Sequence, residues 1–423
     1  MMRRVQVVAL AGILLVAALS TGAPFLFFLV YLGVLVIGGS YVVTRFGLAD
    51  LEAGYVLDRL HAQAGDLLRA SYTVRNTSRF PKLWLEVHNP TNLPVSLPGQ
   101  AISLGPRGER SWSVRVPLAR RGHFRVEPLA LRTGDPLGLF ESHATVGSHS
   151  TVIVYPRVDQ LPAWRLPPAM IEGSHAQALR TQHTTPHATG IRPYAPGDAY
   201  NRIHWKSSAR HSELQVKEFD LEQTADVWIY LDLYSRSHTG RGDESTIEYG
   251  VRAAASIAAR ALLENRNVGM TAAGAKLAVL PADRGPRQYQ KIMQLLAAVT
   301  PNGAEPFVDV LVEGVSKLRR GMSAIVVTPS LERDWVRPLT SLRGRGVETV
   351  IVLLDPLAFA AEERRENGLP EPDAETEAAD QRAARALRHA LGEHDLNWTP
   401  IVPGEPIAAQ LVSTAARPVL ARQ

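Results

Sequence analysis

Cysteine is absent from all 423 residues, which removes disulfides, thiolate metal sites and cysteine nucleophiles together. A net charge of either sign is nearly absent too. The 46 basic and 41 acidic side chains leave only +5, so a pI near 9.5 reflects a small imbalance and not a dense basic surface suited to nucleic acid. The common catalytic signatures are missing as well: no Gly-x-x-x-x-Gly-Lys-Ser/Thr phosphate loop, no His-Glu-x-x-His pair and no Gly-x-Ser-x-Gly elbow. His204 and Asp198 beside Ser207 or Ser208 could form an acid/base set, but nothing in the linear order brings them together. The chain therefore reads as a non-enzyme, with no cofactor expected.

Between residues 5 and 44 charge is missing altogether. Ser20-Thr21-Gly22-Ala23-Pro24 divides this stretch into apolar runs over 5–19 and 24–43; the first is near the lower limit for crossing a hydrocarbon core, the second has roughly the 20 residues a span needs. A transmembrane helical hairpin over residues 1–46 is expected, since lipid offers backbone polar groups no partners outside a helix or closed barrel. Arg3 and Arg4 at one end and Arg45 at the other are expected to place both termini and the soluble bulk in the cytoplasm. The weaker alternative is a cleaved leader over residues 1–23 followed by a single span.

Residues 47–158 read as short strands between Gly, Pro and Asn clusters. Leu68, Ala70, Tyr72 and Val74 share a face, as do Leu83, Leu85 and Val87, and Trp112, Val114 and Val116, which predicts an antiparallel β-sandwich. Residues 159–222 form a linker and a charged segment. His175, His183 and His187 in the linker do not read as a metal site, because Pro186 breaks any helix that would align the last two and no carboxylate completes the set.

From residue 223 to 423 the period changes. Strands are predicted over 226–231, 268–272, 276–280, 324–328 and 349–354, alternating with helices near 247–261, 288–299, 308–318, 335–343 and 381–391. Ser245 and Glu248 have capping-box spacing. This is the pattern of an α/β domain with a mainly parallel sheet covered on both faces. Residues near 357–380 are acidic and Pro-interrupted, and are expected to form an exposed insertion.

The segment ahead of that domain is the densest in chemistry: Arg192, Tyr194, Gly197, Asp198, Arg202, His204, Trp205, Lys206 and Arg210 fall within a short stretch. Two readings compete. In the favoured one, the charged groups pair internally with Tyr194 and Trp205 packed beneath them. In the other, they face a protein partner, for which Arg, Tyr and Trp commonly serve as anchors.

Tyr194-Ala195-Pro196-Gly197-Asp198, Arg202-Ile203-His204-Trp205-Lys206, Ala209-Arg210 and Val216-Lys217-Glu218-Phe219 resemble the signature of the bacterial domain of unknown function 58 family. Arg121-Gly122, Asp135-Pro136-Leu137-Gly138-Leu139-Phe140 and Tyr155-Pro156-Arg157 are similar to that family's pattern as well. The resemblance implies a von Willebrand factor A-like (Rossmann-like) α/β domain and an association with a MoxR-type AAA+ ATPase and other von Willebrand factor A-type proteins. Such domains often hold a divalent ion through Asp-x-Ser-x-Ser. Here Tyr234 and Arg236 occupy the serine positions after Asp232, leaving at most a degenerate set of Asp232, Ser235 and Ser237, so no metal is expected. Together these features predict a membrane-anchored cytoplasmic scaffold or adaptor in assembly or maturation of other proteins, with the lipid bilayer and an ATPase as partners and no nucleic acid. The alternatives are a hydrolase of unknown substrate or a membrane-surface nucleic-acid binder.

Overall fold

The computed structural model describes residues 2–162, 164, 188–195, 200, 203–211, 213–219 and 226–415. Gly197, Asp198 and Arg202, with His175, His183 and His187, lie outside the described residues. The chain forms two compact units, Met1–Arg157 with Met293–Ala298, and Val158–Ile292 with Val299–Gln423.

The first unit opens with helices α1 (Met2–Thr21) and α2 (Pro24–Gly47), packed on one another. Gly22 between them takes φ 64°, and Pro24 stands in the first turn of α2, where its missing N–H costs nothing. Among the described residues α2 alone is long and apolar enough to cross a membrane; the apolar part of α1 is the shorter Ala9–Thr21. The two expected spans thus reduce to one full-length candidate and a shorter partner.

Ten strands follow: β1 (Leu51–Leu57), β2 (His61–Gln63), β3 (Leu67–Asn76), β4 (Lys82–His88), β5 (Gln100–Leu104), β6 (Glu109–Pro117), β7 (Gly122–Val126), β8 (Leu129–Gly134), β9 (Glu141–Val146) and β10 (Ser150–Tyr155). They pair as β1-β3-β6, β2-β10-β7 and β5-β4-β8-β9 around one core. Pairing is antiparallel except for β2 with β10. In β3 the alternation holds, and Leu68, Ala70, Tyr72 and Val74 are buried. In β4 it fails. A bulge between Lys82 and Leu85 turns Lys82 inward and leaves both Leu83 and Trp84 facing out, so Leu83 does not share the inner face with Leu85 and Val87.

Lys82 was drawn in by the end of α2. Its ammonium donates to the carbonyl oxygens of Phe46 (2.7 Å), in the last turn of α2, and Ala49 (2.8 Å), just beyond it. Burial lowers its pKa from the usual lysine value, and the nearby Asp50 carboxylate opposes that shift. The buried face of α2 consists of Ser40, Thr44 and Gly47, one stripe at helical spacing that packs on β4, β8 and β9. A Cβ at Gly47 would stand 2.7 Å from Thr133 Cγ2, so only glycine allows this approach. The loop Gly134-Asp135-Pro136-Leu137-Gly138-Leu139-Phe140 completes the junction. Asp135 accepts from the amides of Leu137 (3.0 Å) and Phe140 (2.6 Å) and from the Ser40 hydroxyl, while Tyr41 meets the Phe140 ring edge-on at 5.6 Å. The motif is a turn, as its composition predicts, and a seat for the apolar helix as well.

The second unit begins with an antiparallel ribbon of β11 (Ala188–Pro193) and β12 (Gln215–Phe219), with α3 (Trp205–His211) between them. The remaining elements are β13 (Val227–Asp232), the two-residue strands β14 (Gly240–Arg241) and β15 (Glu244–Ser245), α4 (Thr246–Leu263), β16 (Val268–Ala273), β17 (Leu277–Asp283), α5 (Pro286–Ala298), α6 (Phe307–Val315), β18 (Ser323–Thr328), α7 (Val336–Gly344), β19 (Glu348–Leu354), α8 (Pro356–Asn367), α9 (Ala374–Glu393), β20 (Asn397–Ile401) and α10 (Ile407–Ala415). Six strands form one sheet in the order β17-β16-β13-β18-β19-β20, parallel except for β17 at one edge.

Helices cover both faces of that sheet. Gly250 of α4 sits over Leu231, Val327 and Leu354, while Tyr230, Val326 and Ile351 point the other way into a cluster with Leu311, Trp335, Leu339 and Leu387. Ser245 caps α4, its hydroxyl accepting the Glu248 amide at 3.4 Å, as the spacing predicts. The acidic stretch near 357–380 is largely exposed, as expected, and most of it is helical. Asp355 caps α8, Gly368 ends it at φ 61°, Asp373 caps α9, and Phe359 is buried edge-on against Tyr249 at 4.9 Å. Caps at both ends outweighed a composition that reads as solvated. Arg252 of α4 holds Asp159 through both guanidinium arms (2.5 and 2.8 Å), which fixes the chain as it enters this unit.

Candidate functional site

In order of appearance the six strands stand 3-2-1-4-5-6, the doubly wound arrangement, and the topological switch point lies where β13 neighbours both β16 and β18. Crevices at the carboxyl ends of such strands are where doubly wound sheets bind ligands. Asp232 ends β13 and Thr328 ends β18, and the parallel register brings them together: Thr328 Oγ1 donates to Asp232 Oδ2 at 2.6 Å. The other carboxylate oxygen accepts the Tyr234 amide at 2.9 Å, and the Thr328 hydroxyl accepts the Ser330 amide at 3.0 Å. Asp232 is buried at 1% exposure. Burial pushes its pKa up to about 6; the hydrogen bonds from Thr328 and Tyr234 pull it down, and Glu332 pushes it up further.

The loop after Asp232 is folded against its neighbours by backbone contacts. The Ser235 amide donates to Gly303 O (3.0 Å), the Gly303 amide to Leu233 O (2.9 Å), and the Ser237 amide to Tyr234 O (3.1 Å). A Cβ at Gly303 would meet Ala273 O at 2.6 Å, so the two loops could not close over any other residue. His238 Nε2 donates to the Asp232 carbonyl at 3.0 Å, and Nδ1 lies 3.1 Å from Thr246 Oγ1.

This donor set does not suit a divalent cation. Both oxygens of Asp232 already accept hydrogen bonds, and Ser235 and Arg236 are exposed on the loop. Among the described residues no three His, Cys, Asp or Glu side chains converge. Millimolar magnesium should accordingly leave the melting temperature of the full chain unchanged, because ligand linkage requires a site on the folded state. A saturable rise that Asp232→Ala abolishes would reverse this conclusion.

The charged segment forms a small structure of its own. Ile203 and Val216 are buried as a bridged pair, the Tyr194 amide donates to Leu214 O and the His204 amide to Gln215 O, both at 2.8 Å. His204 starts α3. Its Nδ1 stands 2.7 Å from Ser207 Oγ and accepts the Ser207 amide at 3.2 Å, so the His–Ser contact caps its own helix. Ser208 links α3 to β12, accepting the Gln215 amide at 2.8 Å. Tyr194 stacks on Tyr200 at 6.1 Å, and Arg192 Nη1 donates to Pro193 O at 3.1 Å.

Trp205 is not packed beneath the charges: it is 68% exposed, Tyr200 is 73% exposed, and Lys206 and Arg210 stand in solvent beside them. The reason is local. Among the described residues Ile203 and Val216 take the buried positions of the ribbon, and the first turn of α3 faces away from them.

Some participants escaped the sequence reading. His238 carries no linear signal that ties it to Asp232. Ser40, Thr44 and Gly47 do carry one, since polar and small residues at i, i+4 and i+7 of an apolar helix mark a face that meets protein.

Residues 190–391 match the family described as protein of unknown function DUF58. Uncharacterized protein YeaD of Bacillus subtilis (strain 168) is 26% identical over 335 residues, covering 77% of this chain and 80% of that protein. Uncharacterized protein Rv1480 of Mycobacterium tuberculosis is 28% identical over 171 residues, 39% of this chain and 54% of the relative. Among solved structures, the CARDB domain of PF1109 from Pyrococcus furiosus covers 25% of this chain and 87% of its own at 16% identity and a TM-score of 0.19, too slight a likeness to bear on fold or function. The signature from Tyr194 to Phe219 and the sheet strands from β13 to β19 lie within the matched residues, and through them this part of the chain, residues 190–391, belongs to the DUF58 family.

Proposed function

We propose that the chain is a membrane-anchored protein-interaction module whose contact surface is the ribbon β11–α3–β12. The observation that carries this reading is the outward placement of Trp205 and Tyr200 beside Lys206 and Arg210. Exposed large aromatics flanked by basic side chains are what interfaces use as anchors. The strand order of the second unit supports a von Willebrand factor A-like domain, here without the metal such domains often carry, so recognition falls to side chains. A MoxR-type AAA+ ATPase is the proposed partner and other von Willebrand factor A-type proteins are further ones, in assembly or maturation of client proteins. Residues 2–47 are the anchor, a two-helix hairpin with both soluble units on the cytoplasmic side, in keeping with Arg3, Arg4 and Arg45 at its ends.

The test uses the full chain in lipid nanodiscs. Trp205→Ala should melt within about 0.5 kcal/mol of the parent, as exposed substitutions do. It should weaken association with the ATPase by about 2 kcal/mol or more, the scale of an aromatic anchor. Lys206→Ala should lose less affinity and most of it in the association rate, with a shallower salt dependence than the parent. Unchanged binding in both variants, or a chain that unfolds when Trp205 is removed, would return the segment to a structural role.

A further inference from the structure

We propose that the end of the first unit next to α2 is itself a membrane-contact surface, seated in the interfacial zone of an anionic phospholipid bilayer through Phe80, Leu83, Trp84 and Leu137. The inference rests on reading residues 24–47 as a membrane span and goes beyond it, since an anchored domain could equally hang clear of the lipid.

Four observations converge. Phe80, Leu83 and Leu137 are 71%, 63% and 51% exposed, and Trp84 is partly exposed. The bulge in β4 is what turns Leu83 and Trp84 outward together: regular alternation would have buried Leu83 and exposed Lys82. These side chains surround the carboxyl end of α2. Leu83, Trp84, Pro81 and Pro136 line one cavity of about 420 Å³ with Val43 and Gly47, and Lys82 beside them holds the last carbonyls of the helix. A span that ends at Gly47 places these residues at headgroup depth, where tryptophan and other amphipathic or apolar side chains are enriched.

The choice of lipid follows from charge. Arg45 and Arg79 are exposed at the same end, and basic side chains are attracted to the surface of an anionic leaflet. Lys82 does not contribute, because its ammonium is turned inward to the helix carbonyls.

The absence of cysteine makes the test direct. Single cysteines are placed in the full chain at Leu83, Leu137, Val34 and Leu67, spin-labelled, and reconstituted in vesicles of phosphatidylethanolamine and phosphatidylglycerol. Leu67 is as exposed as the others but begins β3, roughly 30 Å along the strand from the end at Asn76 that bonds the Phe80 carbonyl. Labels at Val34, Leu83 and Leu137 should be relaxed more by oxygen than by a water-soluble nickel chelate, and the label at Leu67 should show the reverse. Replacing phosphatidylglycerol with phosphatidylcholine should lower the oxygen preference at Leu83 and Leu137 and leave Val34 as it was. Nickel preference at Leu83 and Leu137 with oxygen preference at Val34 would overturn the proposal while leaving the anchor intact. Nickel preference at Val34 as well would overturn both. Should Leu83→Cys fail to fold, Leu137, on a loop outside the sheets, gives the same answer alone.

Discussion

Asp232→Asn is expected to level the pH dependence of the second unit between about pH 4 and pH 6 and to stabilise it at neutral pH. Burial raises the Asp232 pKa from 3.8 to about 6, so the folded state favours the protonated carboxyl. The stability gained from that proton is complete below the unfolded pKa and is lost as pH rises through about 6. A shift of this size corresponds to on the order of 3 kcal/mol. Asparagine is uncharged throughout and keeps a carbonyl oxygen for the Tyr234 amide, while the Thr328 hydroxyl must rotate to accept from the new amide. The net gain at pH 7.5 should therefore fall short of the full amount, at about 1–2 kcal/mol. Hydrogen exchange of the β13 amides at pH 4.5 and 7.5 in both proteins measures it, after correction for the intrinsic rate. Parallel pH profiles for parent and variant would show that Asp232 is ionised in the folded chain.

Asp135→Ala should act on the first unit, with the opposite response to acid. Burial raises the Asp135 pKa, but the Phe140, Leu137 and Leu139 amides and the Ser40 hydroxyl outweigh it and hold the carboxyl below the usual carboxylate value. Its contribution is therefore present above the unfolded pKa and fades as pH falls through the folded one. Alanine leaves several donors without an acceptor, and hydrogen bonds to a charged group contribute about 1.5–3 kcal/mol each, so a loss of about 3 kcal/mol or more is expected at pH 7. Asp135→Asn should recover part of it. The readout is faster exchange of the Leu137 and Phe140 amides together with detachment of Tyr41 from Phe140. An alanine variant with parental exchange would mean that the loop is held by its glycines and Pro136 alone.

Much of the fold could be read from local patterns, because local patterns caused it. The apolar run to Gly47, the alternation in β3 and the Ser245 cap each depend on neighbours in the chain. Misreadings came where a partner distant in sequence decided the outcome. Lys82 faces inward where the bulged strand lets its ammonium reach the Phe46 and Ala49 carbonyls, more than thirty residues earlier. The acidic stretch is helical because Asp355 and Asp373 cap it and Phe359 finds Tyr249, more than a hundred residues away. For the candidate site, Asp232 was recognisable from its loop, whereas Thr328 joins it only through the register of two parallel strands. Trp205 misled for a different reason: an aromatic in a charged segment reads as a small core, yet among the described residues of the ribbon it is Ile203 and Val216 that are buried.

The junction of α2 with the strands has a mechanical consequence. Gly47 lies flush against Thr133, Ser40 is tied to Asp135, and Lys82 grips the final carbonyls, so no slack linker separates the helix from the sheets. A force applied to the strands passes into the helix as a change of tilt, with no hinge to absorb it, and the helix in turn fixes which way the strands point. At this junction the first unit is stiff: helix tilt and strand direction are one degree of freedom, not two.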